Sequence, residues 1–145
     1  DEAFVLRIPD SMPLQNAAPM FCAGITMYSP LRHWRIGPGK RVAIVGFGGL
    51  GHVGTQIARA LGAHTTVLEL SDAKRVDALR LGADDFRLSS DPAIFNELAG
   101  SFDLIVSTVP ATLDLDAWLG LLALDGTFVN LSTTAKPLRN RCAGQ

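Results

Sequence analysis

The residues whose spacing points most directly to chemistry form a short glycine loop. It reads Gly46-Phe47-Gly48-Gly49-Leu50-Gly51, the pattern G-x-G-x-x-G. In loops that hold a diphosphate, the first glycine permits a tight turn and the second lets the main chain approach the phosphates. The third lets the following helix pack closely. The start of that helix adds unpaired N–H groups and the positive end of its dipole. The loop therefore predicts a dinucleotide site in which all six residues are candidate contacts.

The residues on both sides of the loop have the patterns that this interpretation needs. Arg41 to Val45 is a short apolar run, typical of a strand that is buried on both faces. After the loop, apolar residues recur at helical spacing as far as Leu61, and Gly62 is placed to end the helix. The G-x-G-x-x-G pattern alone is weak evidence for a dinucleotide site. It requires a strand before it and a helix after it, and both are predicted here. The alternative is that these glycines merely end a strand.

A carboxylate in the next predicted strand bears on the choice of cofactor. Glu69 ends that strand, where its carboxylate could accept hydrogen bonds from the ribose hydroxyls of the adenosine half. It favours NAD, because the 2′-phosphate of NADP would meet a like charge. Ser71, Lys74 and Arg75 follow closely and could bind that phosphate instead. Alternatively, Glu69 and the basic residues are simply solvated. The sequence thus favours NAD and leaves NADP open.

The order of the elements predicts an α/β fold. Strands are predicted at 41–45, 65–68, 84–88, 102–107 and 127–131. They alternate with helices, which gives a parallel sheet covered on both faces. Right-handed crossovers make it a doubly wound, three-layered Rossmann sheet of strand order 3-2-1-4-5. The sixth strand that usually completes such a sheet is expected to be missing.

The helices are predicted from caps and apolar spacing. One or two precede the Gly37-Pro38-Gly39 turn, at 14–28 and around 31–34. Ser71 or Asp72 caps a helix that carries Val76 and Leu79 and stops at Gly82. Asp91-Pro92 opens another helix, and a last one is predicted at 115–124.

Composition excludes several classes of function. The chain has 145 residues, of which 48% are hydrophobic, and a formal net charge of -1, which describes neither a disordered chain nor one that attracts nucleic acid. No apolar stretch approaches the ~18 residues of a membrane span, and no signal peptide is evident. The two cysteines, Cys22 and Cys142, have no metal or disulfide spacing. A cytoplasmic location without nucleic-acid or membrane partners is expected.

Four segments carry a resemblance to a known family: AAPMFCAGITMYSPLRHW, VAIVGFGGLGHVGTQIARALGA, LGADDF and LALDGTFVNL. Together they resemble the zinc-dependent medium-chain alcohol dehydrogenases, and among these the cinnamyl-alcohol-dehydrogenase-like aldehyde reductases. The resemblance covers nearly all of residues 3 to 135. It implies hydride transfer between NAD(P)H and a primary alcohol or aldehyde, assisted by a zinc ion. Relatives of the cinnamyl type generally have small hydroxyl residues where this chain has Glu69-Leu70, and generally use NADP.

The resemblance also assigns roles to single residues. Cys22 matches a ligand of the catalytic zinc, and Thr26 matches a residue near the nicotinamide. Four more residues match loops beside the cofactor: Thr108, Val109, Leu131 and Ser132. No residue in this chain matches the catalytic acid or base of the family, and the other zinc ligands belong to segments upstream of residue 1.

The resemblance divides the chain into three parts. Residues 1–36 match the end of a catalytic domain and an interdomain helix, 37–135 the dinucleotide-binding domain, and 136–145 a truncated tail. The isolated chain is therefore expected to be a monomer that catalyses little, and the complete enzyme a homodimer. The alternatives are a nucleotide-sensing regulatory module, a zinc-independent quinone reductase and an adenosylmethionine-dependent methyltransferase.

Overall fold

A single parallel sheet organises the part of the chain that the computed structural model describes, residues 2–133. Its strands are β1 (Arg41–Val45), β2 (His64–Glu69), β3 (Asp85–Leu88), β4 (Phe102–Ser107) and β5 (Leu122–Asn130). They lie in the order β3-β2-β1-β4-β5, and each neighbouring pair is parallel. This confirms the predicted fold class and strand order. The predicted tail at 136–145, with Cys142, lies outside the described residues.

Helices flank the sheet. They are α1 (Leu14–Pro19), α2 (Ile25–His33), α3 (Gly49–Ala60), α4 (Arg75–Arg80), α5 (Ala93–Glu97) and α6 (Leu115–Leu119). A π-helical segment, Met20–Gly24, joins α1 to α2, and short 3-10 turns occur at Glu2–Phe4 and Asp72–Lys74.

The core lies on both faces of the sheet, as a central parallel strand requires. On one face, Ile44 of β1 packs in a cluster with Met27 of α2 and Ala58 of α3. On the other face, Val45 packs in a cluster that includes Ile94 of α5 and Trp118 of α6. The three layers therefore hold the carboxyl ends of β1, β2 and β4 in fixed relation, and the glycine loop begins at the middle one.

Several predicted helix ends are confirmed by their caps. Gly62 and Gly82 follow α3 and α4 with positive φ angles of 85° and 109°, a conformation that favours glycine. The Ser71 hydroxyl accepts the N–H of Ala73 at the start of the 3-10 turn. The carboxylate of Asp91 likewise accepts the N–H of Ala93 from 2.9 Å.

One or two helices were predicted for the first part of the chain, and the structure has one continuous helical stretch there. The chain stays helical through residues 14–33 rather than breaking near residue 30, because Met27, Pro30 and Leu31 are buried together. Pro19 has no N–H with which to continue the hydrogen bonds of α1, and the π-helical segment that follows it accommodates this missing bond. In α4, the apolar side chains of Val76 and Leu79 are 76% and 44% exposed. The helix covers only the β3 side of the sheet and buries the small Ala78.

The predicted helix at 115–124 was also too long. It ends at Leu119, and β5 begins at Leu122, which pairs with Phe102 of β4. The apolar residues of this segment fit either structure, and pairing with a buried strand decides between them. Asp125 has a φ of 62° and forms an irregularity with Gly126, so that Thr127 resumes the ladder opposite Leu104. Asp125 and Gly126 therefore form a bulge inside one strand.

Candidate functional site

The glycine loop turns sharply from β1 into α3. Gly46 has a φ of 87°, and its N–H donates to the carbonyl of Leu68 in β2. The first hydrogen bond of α3 runs from the N–H of His52 to the carbonyl of Gly48. The N–H groups of the preceding helical residues thus have no acceptor within α3, as at any helix start. They are available to an anion.

The glycines of the motif differ in what surrounds them. A Cβ at Gly51 would lie 2.2 Å from the carbonyl oxygen of Gly46, so this position must lack a side chain for α3 to meet the turn. A Cβ at Gly48 or at Gly49 would meet nothing within 4 Å. Gly48 also has an ordinary extended backbone, with φ -93° and ψ -157°. The fold itself therefore does not require glycine at 48, and the open space there is wide enough to admit a ligand.

Glu69 reaches from the end of β2 into this loop. Its Oε2 accepts the N–H of Phe47 from 2.8 Å and the ammonium of Lys74 from 2.9 Å, and its Oε1 accepts the N–H of Leu70. The residue is buried. Burial raises the pKa of Glu69, but the hydrogen bonds from Lys74, Phe47 and Leu70 together outweigh it, so the pKa lies below its usual value. The carboxylate is thus charged at neutral pH.

The basic residues after β2 are placed differently from one another. Lys74 is paired with Glu69 at the loop. Arg75 instead lies over the ring of Phe86, 4.7 Å from its centroid, and donates to Asp72 and to the carbonyl of Phe86. Its guanidinium is therefore directed to β3, and a contact of Arg75 with a 2′-phosphate stays a prediction. Ser71 caps the intervening 3-10 turn.

The segment after β4 closes the loop from the other side. Thr108 donates its hydroxyl to the carbonyls of Val45 and Gly46, at 2.9 and 3.2 Å. The side chain of Val109 fills the space above Gly46, where a Cβ would lie 2.5 Å from it. One cleft, here called the loop cleft, is thus lined by Gly46, Phe47, Gly48, Gly49, Leu50, Glu69, Lys74, Thr108, Val109 and Pro110.

An apolar cavity that the sequence did not indicate adjoins the loop cleft and shares Gly46, Glu69 and Val109 with it. Its further lining residues are Val45, Leu68, Leu70, Ser89, Phe95, Ala111, Thr112, Leu113, Asp114 and Trp118. The rings of Phe95 and Trp118 meet edge to face with centroids 5.3 Å apart. Trp118 also belongs to the core cluster that contains Val45. Only the position of the β4 loop at the carboxyl edge of the sheet could have pointed to a cavity there.

The remaining predicted site residues lie outside the loop cleft. Gly51 is buried beneath it, and Thr26 is half-buried on α2. Leu131 follows β5 and packs against the cluster that contains Ile44. Ser132 donates its hydroxyl to the carbonyl of Val109.

His52, the residue after the glycine loop, has partners within the loop. Its ring stacks on Phe47 with centroids 4.0 Å apart, and its Nδ1 lies 2.7 Å from the carbonyl oxygen of Gly48. A carbonyl accepts, so Nδ1 carries the proton. The side chain of His52 therefore stabilises the loop through contacts with Phe47 and Gly48.

Comparison with known proteins decides the family. The family model described as zinc-binding dehydrogenase matches residues 49–141, more than half of the chain. The chain belongs to the zinc-binding dehydrogenase family. It is 60% identical over 138 residues to the NADP-dependent alcohol dehydrogenase C 1 of Mycolicibacterium smegmatis, covering 95% of this chain and 40% of the relative.

Solved structures of family members agree with the fold. A cinnamyl alcohol dehydrogenase from Sorghum bicolor superposes with a TM-score of 0.89 at 43% identity, covering 94% of this chain and 39% of that protein. The Helicobacter pylori enzyme, solved in complex with NADP(H), gives 0.83 at 36% identity, covering 92% and 37%. This member of the family therefore spans about 40% of the length of the relatives it matches.

The family name implies a zinc ion, which can be tested against the residues present. Cys22 lies exposed on the π-helical segment. Across residues 2–133, no group of three or more His, Cys, Asp or Glu side chains could hold a metal ion. One thiolate does not make a tetrahedral site. The described residues alone do not fit zinc, and Cys22 can at most contribute one ligand.

The same residues, 2–133, contain no helix that could cross a membrane.

Proposed function

We propose that this chain is the dinucleotide-binding part of a zinc-dependent alcohol dehydrogenase or aldehyde reductase. The complete protein would transfer a hydride between a nicotinamide cofactor and a primary alcohol or aldehyde. The observation that carries this proposal is the open space at Gly48, at the start of a 12-residue helix whose first N–H groups face no acceptor of their own helix. A diphosphate supplies the acceptors that those groups lack.

The loop cleft and the apolar cavity would divide the cofactor between them. The main chain of Gly48, Gly49 and Leu50 would bind the diphosphate, and the ribose of the adenosine half would lie at Glu69. The adenine ring would enter the apolar cavity, where Phe95 and Trp118 offer an apolar wall. Thr108, Val109, Leu131 and Ser132 line or support the route toward the nicotinamide. Thr26 would approach the nicotinamide from α2.

We further propose that the preferred cofactor is NAD(H), although the relative of 60% identity is named NADP-dependent. The lowered pKa of Glu69 leaves a full negative charge where the 2′-phosphate of NADP would bind. The ammonium of Lys74 already neutralises that carboxylate, and Arg75 is held at Phe86. Within residues 2–133, no cation near this position is therefore left unpaired for a phosphate. Oε1 of Glu69 accepts one N–H, from Leu70, and its second lone pair has no partner among the described residues. A ribose hydroxyl could donate to that lone pair.

The cofactor would supply the hydride from the nicotinamide ring. The residues of this chain would fix the cofactor's position: the helix start orients the diphosphate, Glu69 the ribose and the apolar cavity the adenine. Because the described residues do not complete a zinc site, we expect the isolated chain to bind the cofactor and to oxidise alcohols little or not at all.

Other features stay predictions of the same proposal. They are the boundaries at residues 36 and 135, a small alcohol or aldehyde as substrate, a homodimeric complete protein beside a monomeric isolated chain, and a cytoplasmic location. The regulatory nucleotide-sensing module is the second candidate, since its loop would bind the same diphosphate without a metal. The presence of Cys22 in a helix packed on α3 favours the dehydrogenase.

Parallel calorimetric titration of the chain with NAD⁺, NADP⁺ and S-adenosylmethionine tests the proposal. We expect NAD⁺ to bind most tightly, NADP⁺ more weakly and S-adenosylmethionine not at all. Tighter binding of S-adenosylmethionine than of NAD⁺ would overturn it, because that ligand has no diphosphate to occupy the helix start. A preference for NADP⁺ would overturn only the role given to Glu69.

A further inference from the structure

Three side chains connect the loops that follow four neighbouring strands. Glu69 at the end of β2 accepts the N–H of Phe47, which follows β1. Thr108, which follows β4, donates to Gly46, which also follows β1. Ser132, which follows β5, donates to Val109. These links form one continuous series across the carboxyl edge of the sheet, in the spatial order β2-β1-β4-β5.

The middle link acts on the residue that shapes the glycine loop. The carbonyl of Gly46 lies between the Thr108 hydroxyl, at 3.2 Å, and Gly51, which has no room for a Cβ beside it. The N–H of Thr108 also donates to the carbonyl of Val45 at 2.9 Å. Thr108 therefore holds the last residue of β1 and the first residue of the loop together. Because its only hydroxyl proton is shared by these two carbonyls, Thr108 has none left for a cofactor.

The outer link extends this bracing to the end of β5. Ser132 is itself held by Asn130, whose Nδ2 donates to the Ser132 carbonyl at 2.9 Å. Its hydroxyl then fixes the carbonyl of Val109, whose side chain packs over Gly46. A change at Ser132 is thus transmitted to the loop through Val109.

We propose that Thr108 and Ser132 are positioning residues, which set the glycine loop in its binding conformation through Gly46 and Val109 instead of donating a hydrogen bond to the cofactor. This inference rests on the proposed function, because it concerns the affinity of the same loop for a diphosphate. It separates these two hydroxyls from the candidate contacts, to which the resemblance had assigned them.

The first test compares Thr108→Val with Thr108→Ser by calorimetry with ADP-ribose. Valine has the shape of threonine without the hydroxyl, and serine keeps the hydroxyl. We expect valine to weaken binding about tenfold, as for the loss of one buried hydrogen bond, and serine to stay within about twofold. Equal affinities for the two folded variants would overturn the role of the hydroxyl. If the unchanged chain binds no ADP-ribose, the proposed function fails instead.

A second test measures the binding of ADP-ribose when both residues are changed together, and a third measures amide resonances without a ligand. If the series acts as a unit, Ser132→Ala combined with Thr108→Val weakens binding by less than the product of the single effects, and an exact product contradicts the coupling.

In the free chain, Ser132→Ala should shift the amide resonances of Gly46 and Phe47. The exposed Ser29 on α2 supplies the matched control, Ser29→Ala, which should leave them in place. Unmoved resonances in Ser132→Ala would overturn the proposal even if the Thr108→Val variant does not fold.

Discussion

The ammonium nitrogen of Lys74 lies 2.9 Å from Oε2 of Glu69, the same carboxylate oxygen that accepts the N–H of Phe47. The only basic group directed at the ribose end of the loop cleft is therefore already paired, within the part of the chain described here. The pairing makes the cofactor preference depend on two residues. Removing the carboxylate both takes away a negative charge and releases a positive one.

Glu69→Ser should accordingly shift the preference toward NADP⁺. We expect the ratio of NADP⁺ to NAD⁺ affinity to rise roughly ten- to a hundredfold, the range for one charged hydrogen bond. Calorimetric titration with both cofactors measures the ratio. Asp72→Ser is the matched control, since it changes the net charge equally but removes a carboxylate that pairs with Arg75. A ratio that moves equally in both variants would contradict the role of Glu69.

The lowered pKa values make the free energy of unfolding depend on pH in a defined direction. Burial raises the pKa of Glu69, but its hydrogen bonds bring the net value below the usual 4.5. Asp85 and Asp103 are half-buried, which raises their pKa values, but hydrogen bonds from Arg87 and from the Arg41 amide bring the net pKa values below their usual range. Groups with depressed folded-state pKa values stabilise the fold above their unfolded pKa and lose that contribution as pH falls through the folded one.

Urea unfolding at pH 7, 5, 4 and 3 checks this dependence. The free energy of unfolding should hold between pH 7 and 5 and decrease as the pH falls below about 4.5. Glu69→Gln should be less stable at pH 7 and should lose less stability on acidification than the unchanged chain. An identical pH dependence in the two proteins would show that the carboxylate of Glu69 is not held by its three donors.

The third glycine of the loop should matter for stability. Gly51→Ala places a Cβ against the carbonyl of Gly46, where only backbone could move, so we expect a loss of about 2 kcal/mol or more in the free energy of unfolding. Gly49→Ala, two residues earlier in the same helix, meets nothing and should be neutral or stabilising by up to ~1 kcal/mol. Chemical denaturation measures both. Equal stabilities would contradict the close contact between α3 and the turn.

Fluorescence can report whether the adenine half enters the apolar cavity. The sequence contains two tryptophans. Trp118 lines the cavity and is 6% exposed, whereas Trp34 is 40% exposed after α2. Titration with AMP should change the emission of a Trp34→Phe variant and leave that of a Trp118→Phe variant constant. The opposite pattern would place the nucleotide elsewhere.

The sequence predicted those parts that local patterns determine. The apolar run 41–45, the glycine loop and the helix after it are set by residues next to one another, so their places in the fold could be predicted, and the strand order followed from the alternation of strands and helices. The direction of Arg75 could not be predicted, because it depends on Phe86, a residue of a strand that is distant in the sequence. The start of β5 was misjudged because Leu122 pairs with Phe102 across the sheet. The apolar cavity depends on α5, α6 and the β4 loop together, and no single segment contains its signal.

The most direct test of the account is the affinity of a Gly48→Ala variant for NAD⁺. A methyl group at position 48 meets no protein atom within 4 Å and suits the extended backbone there, so the melting temperature should stay unchanged. It would, however, stand where the diphosphate approaches the main chain. We predict at least about tenfold weaker binding by calorimetry in this fully folded variant. Undiminished affinity for NAD⁺ would contradict the assignment of the glycine loop as the diphosphate site.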